Sequence, residues 1–144
     1  MAKFTDDYLL YLLAQASAAI SASFHATLAQ QGVAVSTWRI LASLYPDEAL
    51  TVSELAHSCM AKQPTMTRMI DRLAADDLVK RIAARDDRRR VRVTLTDAGR
   101  TMAAELVDAA RTDEARALAS YSKQEQAALK ATLRALTQSA EHTP

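Results

Sequence analysis

The sequence predicts a mainly α-helical chain with one small β-hairpin, and three observations carry that expectation. Apolar residues recur at spacings of three and four through most of the chain, as one face of an α-helix requires. Only two glycines and three prolines fall within 144 residues, and aromatics make up 5%, so tight turns are few. Alternation with a period of two is confined to Val91, Val93 and Leu95, with Arg90, Arg92 and Thr94 on the opposite face of the same extended strand. At 49% hydrophobic content the chain is long enough for one domain with its own core.

The first helix is expected over roughly 6–30, where Leu9, Leu12, Leu13, Ala16, Ile20, Phe24 and Leu28 share a face. Thr5 or Asp6 is its candidate N-cap and Gly32 its stop. Ser36 or Thr37 is expected to cap a second helix carrying Trp38, Ile40, Leu41 and Leu44, which ends near Tyr45-Pro46 because a residue before proline avoids the α region. Thr51-Val52-Ser53-Glu54 is a capping-box sequence and opens a short helix with Leu55 and Ala56. Pro64 suits the first turn of a fourth helix, Gln63 to Ala75, whose core face is Met66, Met69, Ile70 and Leu73. Thr65, Arg68 and Arg72 lie at i, i+3 and i+7 on another face, with Thr67 beside them.

Leu78 to Ile82 is expected to pair with the strand ending at Leu95, and Ala83 to Arg89 to form the tip between them. No glycine marks that turn, so Asp86 or Asp87 supplies it. Thr96 then caps a long helix through Met102, Leu106, Ala110 and Leu118. Ser122-Lys123-Gln124-Glu125, a second capping box, starts a last helix with Leu129, Leu133 and Leu136. No linker, repeat or low-complexity segment interrupts the order, which reads as a single domain over 1–144.

Charge is concentrated in one place. Residues 62 to 92 hold ten Lys or Arg against five Asp, a net of +5, while the rest of the chain is net −4. A near-neutral chain with one strongly basic segment implies a local polyanion contact; the alternative is a solvated charged loop without a partner. Two short helices joined by a tight turn and followed at once by a basic hairpin make a winged helix-turn-helix over 36–95, flanked by helices at 6–30 and 97–140. Gln63 to Ala75 is then the recognition helix, able to enter a major groove of double-stranded DNA. Gln63 suits adenine, Arg68 and Arg72 suit guanine or phosphate, and Thr65 and Thr67 suit phosphate oxygens or a thymine methyl. Arg85, Arg88, Arg89 and Arg90 of the wing would reach the backbone or the adjacent minor groove.

Other functions find less support. His25, His57 and His142 are scattered without ligand spacing, so no metal is expected. No glycine-framed nucleophile, phosphate-cradling loop or paired carboxylates appear, which argues against an enzyme and leaves no cofactor to assign. The single cysteine, Cys59, excludes an intramolecular disulfide, and only His57 stands near it to activate the thiol. A cytoplasmic, reducing compartment fits. The stretch from Tyr8 to Trp38 contains no Asp, Glu, Lys or Arg, yet Asp6 and Asp7 precede it and Gln15, Ser17, Ser21, Ser23, His25 and Thr27 recur within it. A signal peptide or lipid-facing span fits that pattern poorly, and burial against a second subunit fits it better. A charge placed there, at Leu13, is expected to break the dimer.

Asp87-x-Arg89-x-x-x-Val93-Thr94-Leu95-Thr96-x-x-Gly99 and Thr65-Met66-Thr67-Arg68-Met69-Ile70-Asp71-Arg72-Leu73 resemble the wing signature and recognition helix of the MarR family of bacterial transcription regulators. The resemblance covers nearly the whole chain. It implies a homodimer joined through its first and last helices, and two winged helices on a palindromic operator. It implies that Arg89 inserts into the minor groove and that Asp87 orients the wing arginines. Where the family usually has glycine before Leu-Val, this chain has Asp77, which tolerates the left-handed conformation at modest cost. The resemblance further implies a small aromatic or phenolic effector, with Tyr8, Tyr11, His25, Trp38 and Arg39 as candidate ligand residues. Arg39 would pair a carboxylate and Trp38 pack on a ring; alternatively Trp38 is a core anchor and Arg39 an ion-pair partner. The competing function is a non-sequence-specific architectural or protein-interaction module.

Overall fold

In the computed structural model, which describes residues 1–83 and 90–143, the chain forms α1 (Phe4–Asp7), α2 (Leu9–Gln30), α3 (Val35–Leu44), β1 (Leu50–Thr51), α4 (Val52–Ser58), α5 (Gln63–Ala75), β2 (Val79–Ala83), β3 (Val91–Leu95), α6 (Asp97–Ala117) and α7 (Lys123–Glu141). The fold is mainly helical with a small antiparallel sheet of order β1-β3-β2. Two compact units divide it, Met1–Ala110 and Arg111–Pro144.

The first helix departs from expectation. Tyr8 is extended (φ −91°, ψ 116°) and separates α1 from α2, so neither Thr5 nor Asp6 is the cap; Lys3 occupies that position, its backbone N–H donating to Asp6 Oδ2 at 3.2 Å. Phe4 stacks on Tyr8 with ring centroids 4.7 Å apart, an aromatic contact that accompanies the extended residue. Within its unit α2 buries only Phe24 and Leu28, while Leu9, Leu12 and Ile20 of the predicted face lie exposed. Gly32 does end the helix region, at φ 71°, with Val33 N–H bonded back to Leu28 O at 2.9 Å. That closure returns the chain to helix so quickly that α3 starts at Val35 with Ala34 as N-cap, ahead of the expected Ser36 or Thr37.

The core joins Phe24 and Leu28 of α2 to Ile40, Leu41 and Leu44 of α3, Leu55 of α4, Met66, Ile70 and Leu73 of α5, Val93 and Leu95 of β3, and Ala103 and Leu106 of α6. The capping box opening α4 is complete: Glu54 N–H donates to Thr51 Oγ1 (3.1 Å), and Thr51 N–H donates to a Glu54 carboxylate oxygen (3.0 Å). Asp77 adopts φ 58°, the left-handed conformation expected where the resembled family usually has glycine, and Met60 in the α4–α5 turn adopts φ 55°. The strand β1, which no local pattern in the sequence announces, pairs Leu50 with Val93 and Thr51 with Arg92. This makes β3 the central strand, since it also pairs along its length with β2 from Val79↔Leu95 to Ala83↔Val91.

In the second unit, Gln126 Nε2 donates to the Leu118 and Tyr121 carbonyls, each at 3.0 Å, closing the turn before α7. Ser122 Oγ accepts from Glu125 N–H at 3.1 Å as its N-cap. No residue of α7 is buried within the chain.

Candidate nucleic-acid interface

Helix α5 is divided lengthwise. Met66, Ile70 and Leu73 are buried, and Gln63, Thr65, Thr67, Arg68 and Arg72 are exposed. The burial of three residues at helical spacing leaves the opposite face no packing role. Thr67 Oγ1 donates to Gln63 O at 3.1 Å, so its proton is committed to the helix backbone while the residue stays exposed. Arg68 and Arg72 have no ion-pair partner among the described residues.

Two other cations of the basic segment, Arg81 and Arg92, are tied down. Arg81 of β2 is ion-paired with Asp71 of α5, linking that helix to the sheet. Arg92 of β3 donates from Nη1 to the Ala49 carbonyl at 3.0 Å and stands 4.0 Å from a Glu54 carboxylate oxygen. Lys62, Lys80 and Arg90 are exposed and, like Arg68 and Arg72, form no ion pair with a described residue. Arg90 lines an open groove of about 480 Å³ with Thr51, Val52, Ser53, Glu54, Gln63 and Val91, so the start of the wing strand and the starts of α4 and α5 converge there. Ser53 joins this surface although the sequence marks it only as part of a capping box, and only the fold separates the fastened arginines from those without an ion pair among the described residues. Arg85, Asp87, Arg88 and Arg89 lie outside the described residues.

The effector candidates fall in two groups. Tyr8 and Tyr11 sit at the start of α2, their rings 5.9 Å apart. His25 lies fourteen residues beyond Tyr11, about 21 Å along a helix that rises 1.5 Å per residue. It follows Phe24, against which the half-buried Trp38 packs edge-on at 4.9 Å. Arg39 is exposed. One chain does not bring the two groups together. Cys59 is buried, with Ser43 Oγ 3.8 Å from its sulfur, and burial pushes its thiol above the usual range against smaller opposing effects of Ser43 and Arg39. Among the described residues no group of three or more His, Cys, Asp or Glu is placed to hold a metal ion.

Residues 35–91, the segment that builds this surface, match the sequence profile of the MarR family. The crystal structure of the MarR family transcriptional regulator SPO1453 from Silicibacter pomeroyi DSS-3 superposes with a TM-score of 0.85 at 40% identity, covering 96% of this chain and 99% of that one. The chain belongs to the MarR family. MarR-family proteins are DNA-binding winged helix-turn-helix transcriptional regulators and not enzymes. The HTH-type transcriptional repressor MdtR of Bacillus subtilis is 37% identical over 73 residues, 51% of this chain and 47% of the repressor. The chain spans about half the length of such curated relatives. BpsR of Bordetella bronchiseptica, whose DNA binding is regulated by 6-hydroxynicotinic acid, is 25% identical with a TM-score of 0.77 over 95% of this chain and 97% of its own.

Proposed function

We propose that this MarR-family chain is a cytoplasmic, homodimeric repressor that recognises a palindromic operator and releases it on binding an aromatic or phenolic acid. The observation that carries the DNA contact is the sorting of its cations: Arg68 and Arg72 project from α5 without an ion-pair partner among the described residues, as does Arg90, while Arg81 and Arg92 are held by the fold. In a two-fold dimer the two α5 helices enter successive major grooves about 34 Å apart. Gln63, Thr65, Thr67 and Arg68 then face base edges, Arg72 and Arg90 face phosphates, and Arg85, Arg88 and Arg89, oriented by Asp87, continue the wing into the minor groove. The lobe over 36–95 carries this contact, and helices over 6–30 and 97–140 join the two copies.

Selection of genomic fragments in excess competitor DNA tests this directly. A near-palindrome preferred over random duplex by at least ~10³ is expected; equal binding to random duplex would instead support an architectural module. With the selected duplex, Arg68→Ala is expected to cost about 1–3 kcal/mol and to relax the base preference at one position of each half-site. A uniform loss across all sequences would reassign Arg68 to phosphate.

The exposed α2 supports the dimer. By length and hydropathy the segment Leu9–Gln30 also meets the requirement for a membrane span, but Gln15, Ser17, Ser21 and Ser23 interrupt it at short intervals, and the solved relative SPO1453 aligns over 96% of this chain. The effector is supported by the neighbouring Trp38 and Arg39, which offer a ring and a guanidinium for an aromatic carboxylate, and by the aromatic acid that regulates BpsR. Tyr8 and Tyr11 would complete such a site only from the second copy, being distant within one chain. A panel of benzoates, salicylates, cinnamates and hydroxynicotinates is expected to include one that lowers operator affinity tenfold or more, the ordinary size of allosteric coupling at about 1–3 kcal/mol. No change with any of them would remove the aromatic-acid assignment.

A further inference from the structure

Arg92 closes the arginine-rich run, where charge counting alone would place it among the phosphate contacts. Its surroundings give it another task. It lies on the central strand, paired with Thr51 on one side and Ile82 on the other, so its backbone is held from both edges. Its guanidinium donates to the Ala49 carbonyl at 3.0 Å, and its side chain keeps only 29% of its surface exposed.

The other group near that guanidinium is Glu54. This carboxylate cannot be moved aside cheaply, because one of its oxygens accepts the Thr51 N–H in the capping box that starts α4. It therefore remains fixed in the wall of the groove that Ser53, Gln63 and Arg90 also line. A fixed anion there repels any phosphate strand that enters, well within the screening length of about 8 Å at physiological salt. Arg92, 4.0 Å from the carboxylate, is positioned to cancel that charge from behind.

We propose that Arg92 is a positioning residue that neutralises Glu54 and so leaves the groove between α4 and the wing strand open to a DNA phosphate backbone, without touching DNA itself. The proposal rests on the DNA-binding reading above and specifies which cations of the basic run face phosphate. Arg90 and Ser53 meet the strand; Arg92 makes their wall hospitable.

The two roles separate in a salt titration on a labelled duplex recovered by selection with the wild-type protein. Removing one phosphate-neutralising cation lowers the log–log salt slope by about 0.9. As an internal counter-ion, Arg92→Gln is expected to weaken binding about five- to tenfold, the scale of coupling between neighbouring charges, with the slope unchanged. Glu54→Gln, which keeps the capping acceptor, is expected to restore affinity in that background to within about twofold. Arg92→Lys is expected to bind like wild type, and thermal melts of all variants report whether the fold is intact. A slope reduced by about 0.9 with no restoration by Glu54→Gln would overturn the proposal and assign Arg92 to direct phosphate binding. Unchanged affinity of a folded Arg92→Gln would overturn it too. Failure of the wild-type protein to select any duplex would instead remove the DNA reading on which it stands.

Discussion

Replacing Gly99 with alanine is expected to lower the stability of the protein by about 3 kcal/mol, the upper end of the range for overpacking a filled site. For a domain of this size that corresponds to a fall of about 10 °C in Tm. Gly99 sits in the first turn of α6, buried, and an added Cβ would lie 1.9 Å from the Leu78 carbonyl oxygen and 2.9 Å from its carbon. The obstacle is backbone, and it is pinned: Leu78 O accepts Thr96 N–H at 3.1 Å, Leu78 N–H donates to Leu73 O at 2.9 Å, and Asp77 just before it is in the left-handed region. Relief requires moving β2 away from α6, which also strains the Thr96 cap, whose hydroxyl accepts Gly99 N–H at 3.0 Å and donates to Asp77 O at 2.6 Å. Thus the glycine of the family motif is there for close approach and not for an unusual φ. Thermal unfolding followed by circular dichroism checks it, and a Tm within about 2 °C of wild type would show that the junction gives more freely than its hydrogen bonds imply.

The same junction shows what could be read in advance and what could not. Features set by neighbours in sequence were legible: the Thr51–Glu54 capping box spans three residues, Pro46 ends α3 and Gly32 ends α2, while the left-handed Asp77 was expected only from the family resemblance. Features set by distant partners were not. The two-residue strand β1 exists because Leu50 and Thr51 meet Val93 and Arg92, some forty positions on, and Arg92 reaches Ala49 across a separation of 43. Alternation placed Arg90 and Arg92 on one face of a strand, yet only the fold shows that one is free of ion pairs among the described residues and the other held. The two-faced helix α5 was legible because its buried stripe at helical spacing leaves the polar face conspicuous; the pairing of its Asp71 with Arg81 needed the sheet. The interruption at Tyr8 and the short reach of α2 into the core belong to the same class, since the periodic apolar face does not say what covers it.

That uncovered face yields the second large effect. A glutamate at Leu12 is expected to weaken self-association by at least a hundredfold and operator binding by about 10²–10⁴, the advantage that a second linked half-site confers. Leu13, the position the sequence suggests, is half-buried within one chain, so a charge there would disturb folding and association together. Leu12 is 43% exposed, and Leu9 one turn before it and Ile20 further along the same helix are about half exposed, so one chain alone gives these residues little to pack against. Leu129, Leu133 and Leu136 of α7 are in the same condition, at spacings that place them on one helix face. Stable homodimers bury roughly 1,200–2,000 Å² or more, and the apolar faces of helices of 22 and 19 residues supply surface of that order. Burying an unpaired carboxylate at such an interface costs several kcal/mol, whereas in the separated chain it would stand in water. Sedimentation of Leu12→Glu should therefore show a folded monomer with the wild-type helical spectrum. If the variant stays dimeric at micromolar concentration and binds the operator as before, the two copies meet elsewhere and α2 is covered by something other than its counterpart.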